Sequence, residues 1–342
     1  MKPMPKVVLA SLVAIAAGTG GAGAMEGVVA SIKPIHSLVA AVMEGVGSPE
    51  LIVEGAGSPH VYSMRPSQAS ALENAKLVFW VGHDLEVFLE KPLESLAADA
   101  TVVELGDAHG LTRLKAREGG PFEAHSHEHE DGHDHAAEGE NHDGHQHEGE
   151  HADEGHAHED HGHEGHAHGG TDMHLWLDPL NAKAMVHEIE EALAKADPDN
   201  AESYAANAEE VEAQLDALIG ETERELASVK DKPFIVFHDA YQYYENRFGV
   251  LAAGSITVSP EAMPGAQRVS EMQAKVKELG AVCIFAEPQF EPKLVNVIAE
   301  GTEAKAGVLD PLGANLADGP DLYFQLIRNL TTSLKTCLSE AS

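Results

Sequence analysis

The sequence predicts an α/β protein built from two βα lobes with mostly parallel sheets, joined by one long rigid helix. Short apolar runs alternate with amphipathic helical stretches before residue 106, and the same alternation returns after residue 233, which predicts the two lobes. The third observation is a stretch with few helix breakers between Asn200 and Val229. Such a helix is about 45 Å long and can act as a strut between lobes.

The first series pairs short β-type runs with helices. Its predicted strands are 27–31, 51–53, 77–81 and 102–105, and its predicted helices are 35–45, 66–74 and 85–90. Pro66 supports the start of the second helix, because the first turn of a helix tolerates a residue without an N–H. The sequence therefore places a mostly parallel sheet in the first lobe.

A second series follows a helical region over 179–230 that Pro198 interrupts. Its predicted strands are 234–237, 250–256, 282–286 and 308–309, and its predicted helices are 241–248, 266–279, 291–300 and 322–338. The expected organisation is a first lobe over 25–196, a linking helix over 197–230 and a second lobe over 231–342. In sheets of this kind, ligands bind beyond the carboxyl ends of the strands.

Residues 1–24 have the features of a secretory signal peptide. Lys2 and Lys6 lead into an apolar run, and Ala22-Gly23-Ala24 offers an A-x-A cleavage site. The run is too short to span a bilayer, no Cys directly follows the cleavage site, and no later segment has 18 uninterrupted apolar residues. We therefore expect a soluble exported protein. Its formal charge of −35 disfavours nucleic acid as a partner and favours cations.

The two cysteines, Cys283 and Cys337, are expected to form a disulfide, because an exported protein meets an oxidising compartment. The bond would close a loop of about 55 residues and contribute about 3 to 4 kcal/mol. The alternative is a pair of buried free thiols. Neither cysteine has C-x-x-C spacing, which disfavours a redox or thiolate-zinc role.

A low-complexity insert over about 110–170 is rich in histidine and acidic residues and has no Lys or Arg between His125 and His168. Neutral imidazole binds transition metals, and flanking acids raise the local cation concentration. The alternative is a disordered acidic spacer. A disordered tract binds ions loosely, so we expect fifteen weak auxiliary ligands and no tight site here. They are His125, His127, His129, His133, His135, His142, His145, His147, His151, His156, His158, His161, His163, His166 and His168.

Three further histidines, His60, His174 and His238, each close or follow an apolar run. Each can therefore lie at the carboxyl end of a strand. Three neutral imidazoles and one oxygen ligand make a tetrahedral site suited to Zn²⁺, with Zn–N bonds of about 2.0 to 2.1 Å. Taken singly, each of these histidines could equally be a structural or surface residue.

Four strings in this chain resemble the ordered motifs of the metal-binding receptors of bacterial ABC importers for zinc and manganese, the cluster A-I solute-binding proteins. They are GAGSPHVYSMRPSQ, DMHLWLDPLNA, VFHDAYQYYENRFGV and LDPLGANL. The likeness covers residues 26–342 and is greatest to the zinc-selective (ZnuA-type) branch, whose members often carry a His-rich acidic insert before the D-x-H-x-W motif. It implies that an ion is held in the cleft between two lobes by His60, His174 and His238.

The resemblance also bears on the fourth ligand and the choice of metal. Asp310 matches a position where some members supply a carboxylate, and water fills it in others. Some zinc-type members use a Glu directly before the first His, but Pro59 stands there in this chain. Manganese-type relatives have a carboxylate at the place of His238, so imidazole there favours Zn²⁺, although Ni²⁺, Co²⁺ and Cu²⁺ also suit imidazole.

The implied function is high-affinity capture of periplasmic Zn²⁺, the transported ligand, and its delivery to an ABC permease in the inner membrane. We expect a monomer, with the His-rich tract as a zinc buffer and a periplasmic zinc chaperone as a candidate partner. One alternative is a metal store or adhesin without a transport role. Another is a His₃ zinc hydrolase, which the lack of H-E-x-x-H and of an evident general base disfavours, so we expect no enzyme.

The remaining histidines, His36, His83, His109 and His187, are expected to bind no metal tightly. Asp239 follows His238 and has two interpretations, an acceptor that orients an imidazole or the N-cap of a helix. Glu287-Pro288-Gln289 resembles a family motif, but its spacing suggests no mechanism.

Overall fold

The computed structural model describes residues 24–117, 122, 170–257, 265–291 and 293–339. The predicted signal peptide, apart from Ala24, lies outside the described residues, and so do all fifteen histidines of the tract. Within the described part of the chain, no helix is both long and apolar enough to cross a membrane.

The chain forms two compact units. Unit 1 comprises the residues up to Leu111 together with Pro179–Glu221 and Leu312–Arg328, and unit 2 comprises Thr112–Asp178, Thr222–Pro311 and the residues from Asn329. The expected lobe boundaries assign 112–178 to the first lobe and 312–328 to the second, whereas the compact units assign them the other way round.

Unit 1 contains a four-stranded parallel sheet. Its strands are β1 (Val28–Ala30), β2 (Glu50–Leu51), β3 (Leu77–Trp80) and β4 (Thr101–Glu104), in the order β2-β1-β3-β4. Its helices are α1 (Lys33–Val42), α2 (Pro66–Glu73), α3 (Val87–Leu96) and α4 (Pro179–Ala196). All residues of β1 and β3 are buried, as expected for parallel strands covered on both faces.

Unit 2 repeats this topology. Its strands are β5 (Phe234–His238), β6 (Ala252–Thr257), β7 (Cys283–Ala286) and β8 (Lys305–Val308), all parallel, in the order β6-β5-β7-β8. Its helices are α6 (Gln242–Phe248), α7 (Ala266–Glu278) and α8 (Lys293–Ala299). Ile235, Phe237, Ile256, Ile284 and Ile298 belong to one buried cluster that joins strands to helices.

Two further helices, α5 (Ala201–Leu226) and α9 (Leu322–Ser339), contribute residues to both units. The predicted long helix is therefore present, at 26 residues. Within unit 1, the segment before α9 is held to α1, because buried Lys33 donates to the carbonyls of Ala314 and Leu316, and Ser37 donates to that of Pro320. Within unit 2, a disulfide fixes the other end of α9.

That disulfide joins Cys283 in β7 to Cys337 in α9, with their Cα atoms 6.2 Å apart. The predicted pairing is confirmed, and the alternative of two free thiols is wrong. Cys283 is fully buried and Cys337 is 8% exposed. The bond encloses a sequence separation of 54 residues, so it restricts the part of the unfolded chain from β7 to α9.

Most predicted elements agree with the structure within a few residues, and two do not. The helix predicted at 85–90 is α3, which continues through Pro92, because Leu89 and Leu93 lie one turn apart and are both buried. The strand predicted at 308–309 is β8, which begins at Lys305. β8 is an edge strand with mostly exposed residues, so its sequence lacks the apolar pattern.

Candidate metal centre

His238 is the last residue of β5, in the middle of the unit 2 sheet. All five residues of β5 are buried, so the apolar run ends by placing one imidazole at the carboxyl edge of the sheet. The strand order reverses between β5 and β7, and α/β sheets bind ligands at this switch point. The local fold therefore puts His238 where a ligand-binding residue is expected.

Glu287 fixes the orientation of the His238 ring. It is the first residue after β7, it is 3% exposed, and its Oε1 lies 2.8 Å from Nδ1 of His238. The same oxygen accepts the backbone N–H of His238 at 3.3 Å. An ionised carboxylate only accepts hydrogen bonds, so Nδ1 carries the proton and Nε2 keeps its lone pair.

His174 has the same arrangement with a different carboxylate. Oδ1 of Asp172 lies 2.8 Å from Nδ1 of His174 and accepts the backbone N–H of His174 at 2.9 Å. Both residues are buried. The short 3₁₀ turn that follows is anchored by Trp176, whose indole N–H donates to the carbonyl of Pro311 at 2.8 Å. His174 is therefore in the same tautomer as His238, with the proton on Nδ1 and the lone pair on Nε2.

The two Nε2 atoms lie 3.4 Å apart. Because both Nδ1 atoms donate to carboxylates, neither neutral ring has an N–H left for a hydrogen bond between them. Two nitrogens bound to one tetrahedral Zn²⁺ at about 2.0 to 2.1 Å are about 3.3 to 3.4 Å apart. The two Nε2 atoms therefore have the spacing that binding to a single tetrahedral zinc ion requires.

His60 lies in unit 1, on the loop between β2 and α2. It is half-buried, and its backbone N–H donates to Oγ of Ser58 at 3.4 Å. The loop is built tightly, since a Cβ on Gly57 would come within 2.7 Å of the Tyr62 ring. Tyr62 in turn accepts a hydrogen bond from Gln68 at 3.0 Å. The backbone around His60 is thus fixed by local contacts.

Asp310 follows the carboxyl end of β8 in unit 2. Its Oδ1 accepts a hydrogen bond from the side chain of Gln289 at 3.0 Å. Burial raises the pKa of the Tyr241 hydroxyl well above its usual range, and the nearby carboxylates of Glu287 and Asp310 raise it further. Asp310 and Glu287 therefore face the same neutral tyrosine.

Asp239 has neither of its two predicted roles. Its carboxylate is paired with Arg117, while Glu287 is the acceptor that orients His238. The residue at the N-cap of α6 is Tyr241, which makes no side-chain capping bond. The spacing of the Glu287-Pro288-Gln289 motif suggested no function for Glu287. Its position directly after a buried strand was the signal that could have indicated one.

The other described histidines have ordinary surroundings. His36 in α1 is buried beside the carbonyl of Pro49 at 3.1 Å, and burial lowers its pKa. His83 lies 3.5 Å from Glu90, and His187 lies 3.5 Å from Glu191 on α4. His109 is exposed. None of these four belongs to a group of metal-ligating side chains within the described ranges.

The sequence pattern of the ZnuA family, described as "Zinc-uptake complex component A periplasmic", matches residues 28–337. The chain belongs to the ZnuA family. The resemblance expected from the four motifs is thereby confirmed.

One curated relative of this ZnuA-family chain is the "High-affinity zinc uptake system protein ZnuA" of Brucella suis biovar 1. It is 58% identical over 341 residues, which cover 99% of this chain and all of the relative. A solved structure titled "Crystal structure of ZnuA" has a TM-score of 0.69 at 22% identity and covers 91% of this chain and 98% of its own. A mutant of the laminin-binding adhesin Lmb from Streptococcus agalactiae has a TM-score of 0.68 at 25% identity, covering 91% and 99%. The two-lobed α/β fold predicted from the sequence is the fold of these structures.

Proposed function

We propose that this protein captures Zn²⁺ in the periplasm with high affinity and delivers it to an ABC permease of the inner membrane. The observation that carries the proposal is the pair of imidazoles in unit 2, with each Nδ1 on a carboxylate and the two Nε2 atoms 3.4 Å apart. Full-length similarity to a protein named for high-affinity zinc uptake supports the same function. In this proposal the signal peptide over 1–24 directs export.

His60 is proposed as the third ligand, from its place in the GAGSPH motif and on a loop that follows a parallel strand. The fourth position falls to Asp310 or to water. Three imidazoles give a site that prefers Zn²⁺ over harder ions. The His-rich tract serves as a weak auxiliary reservoir. The protein acts as a monomer without catalytic activity, and a periplasmic zinc chaperone is a second candidate partner.

Calorimetric zinc titration of the mature chain tests the site. A variant lacking 120–169 should keep one tight equivalent and lose only weak ones, whereas His174→Ala should lose the tight one. His187→Ala is the matched control, because His187 is an exposed histidine of α4 and should bind as wild type. Loss of the tight equivalent with the tract would refute the assignment to the two imidazoles.

His60→Ala separates the third ligand from the pair. Its removal should weaken zinc binding by more than the 10- to 100-fold that the loss of an outer-shell partner costs. An unchanged affinity would contradict ligation by His60. It would not contradict ligation by His174 and His238. Growth under zinc limitation, after deletion of the gene in a strain without another importer, distinguishes transport from a store or an adhesin.

A further inference from the structure

Two buried carboxylates of unit 2, those of Asp239 and Glu245, share one cationic partner, and Asp239 directly follows His238 of the metal centre. Asp239 is bonded to His238 in the chain, with Cα atoms about 3.8 Å apart, and Glu245 lies in α6. They are 6% and 3% exposed. Buried acids of this kind require a cation or several hydrogen bonds.

One guanidinium, that of Arg117, contacts both acids. Its Nε donates to Oδ2 of Asp239 at 2.9 Å, and its Nη2 donates to Oδ1 of Asp239. Nη1 and Nη2 each donate to an oxygen of Glu245 at 2.8 Å, and the guanidinium carbon lies 4.0 Å from the ring centre of Phe122. The guanidinium of Arg117 therefore donates hydrogen bonds to both carboxylate oxygens of Asp239 and to both of Glu245.

The backbone holds Arg117 in place. Lys115 pairs with Thr171 in an antiparallel bridge, and the N–H of Asp172 donates to the carbonyl of Leu114 at 2.9 Å. The hydroxyl of Tyr243 accepts the N–H of Leu114 at 3.0 Å and donates to the carbonyl of Asp172 at 2.7 Å. The segment that carries Arg117 is thus tied to Asp172, which orients His174, and to α6.

We propose that Arg117 is a metal-specificity residue. By holding Asp239, it keeps the negative charge and the oxygen donors beside His238 out of reach of the bound ion, so the centre acts as an imidazole site. Carboxylate oxygens suit Mn²⁺, whereas imidazole suits Zn²⁺. Without the guanidinium, the buried acids Asp239 and Glu245 lose their counter-charge, and a harder divalent cation at the centre gains from the charge of Asp239 beside His238. The inference rests on the proposed function of the site.

The test measures Zn²⁺ and Mn²⁺ affinities of the mature chain and of Arg117→Met by competitive titration, with Mn²⁺ binding followed by electron paramagnetic resonance. Mn²⁺ should bind at least about tenfold more tightly to the variant, and zinc should bind no more tightly than to wild type. An effect on structure alone would weaken both metals together, and that result would overturn the proposal.

Arg247→Met is the matched control. Arg247 also forms a two-pronged pair with a buried acid of unit 2, Asp178, at 2.6 and 2.8 Å, but Asp178 does not adjoin a ligand histidine. It should leave the ratio of Mn²⁺ to Zn²⁺ affinity unchanged. An equal gain of Mn²⁺ affinity in this control would overturn the assignment to Arg117.

Two double variants keep the test decisive. Arg117→Met with Asp239→Asn should abolish the gain in Mn²⁺ affinity, and a gain that persists would refute the role of Asp239. If Arg117→Met does not fold, Arg117→Met with Glu245→Gln leaves only Asp239 charged and should still bind Mn²⁺ more tightly. A wild-type chain without tight zinc binding would refute the proposed function, whereas an unchanged ratio in the variants refutes this inference alone.

Discussion

Removal of the Cys283–Cys337 disulfide should destabilise unit 2 and leave unit 1 nearly unchanged. The bond encloses a separation of 54 residues, all within unit 2 except Leu312–Arg328. The chain-entropy model gives about 4 kcal/mol at 25 °C for a loop of this length. At about 2 to 4 °C per kcal/mol for a unit of this size, the unfolding midpoint should fall by roughly 8 to 16 °C.

The two tryptophans allow each unit to be followed separately. Trp80 lies in unit 1 and Trp176 in unit 2, and both are buried. We would replace one tryptophan by Phe in turn, in the background of Cys283→Ala with Cys337→Ala, and record fluorescence during thermal and urea unfolding. The same single-tryptophan chains with both cysteines retained are the control, measured with and without a reductant, which breaks the same bond without deleting atoms.

The Trp176 signal should move to lower temperature and lower urea, both in the alanine variant and in the reduced chain that keeps Trp176 alone. The Trp80 signal should move by much less. An equal shift of both signals would refute the confinement of the effect to unit 2. An unchanged Trp176 signal would refute the loop-entropy argument itself.

Three further predictions concern single groups. Glu287→Gln should weaken zinc binding about 10- to 100-fold in calorimetry, because the ring of His238 loses its carboxylate acceptor, and an unchanged affinity would contradict that role. Burial raises the pKa of Glu86 to about 7, so the folded state binds its proton more tightly than the unfolded state. Stability of unit 1 should therefore fall as the pH rises from about 4.5 to 7, by up to about 3 kcal/mol, and Glu86→Gln should abolish this slope in urea unfolding followed by Trp80. Zinc affinity should fall below about pH 6.5, since ligand histidines must be deprotonated, and a flat titration from pH 7.5 to 5.5 would argue against imidazole ligands.

The sequence was sufficient for the strands with continuous apolar runs and for the helices with clear periodicity. β3 and β7 are buried on both faces, so burial and sequence pattern coincide there. β8 could not be bounded in the same way, because an edge strand gains its hydrogen bonds from one neighbour and needs few apolar residues. Apolar sequence patterns therefore predict the bounds of central strands better than those of edge strands.

The site shows the same limit in chemical terms. His174 and His238 could be named from the sequence because His238 ends an apolar run, His174 precedes one, and each lies within a recognisable motif. Their carboxylate partners could not both be named, since Asp172 is two residues from its histidine and Glu287 is 49 residues from its own. Asp239 was a reasonable expectation from adjacency alone. The carboxylate of Asp239 is held by Arg117 instead, and adjacency in the chain could not indicate that partner.

The two sheets share one topology, so the imidazole at the edge of the unit 2 sheet depends on side chains and not on strand order. Both sheets reverse their strand order between the first and third strands, so each has one switch point. In unit 1 the region after β3 is filled by Glu86, fully buried, which accepts the backbone N–H groups of Val81 and Gly82 at 2.7 and 3.0 Å. In unit 2 the corresponding carboxylate, Glu287, comes directly after the strand and contacts the imidazole of His238 instead of its own backbone turn. A carboxylate after the third strand of each sheet thus closes a turn in unit 1 and fixes the imidazole of His238 in unit 2.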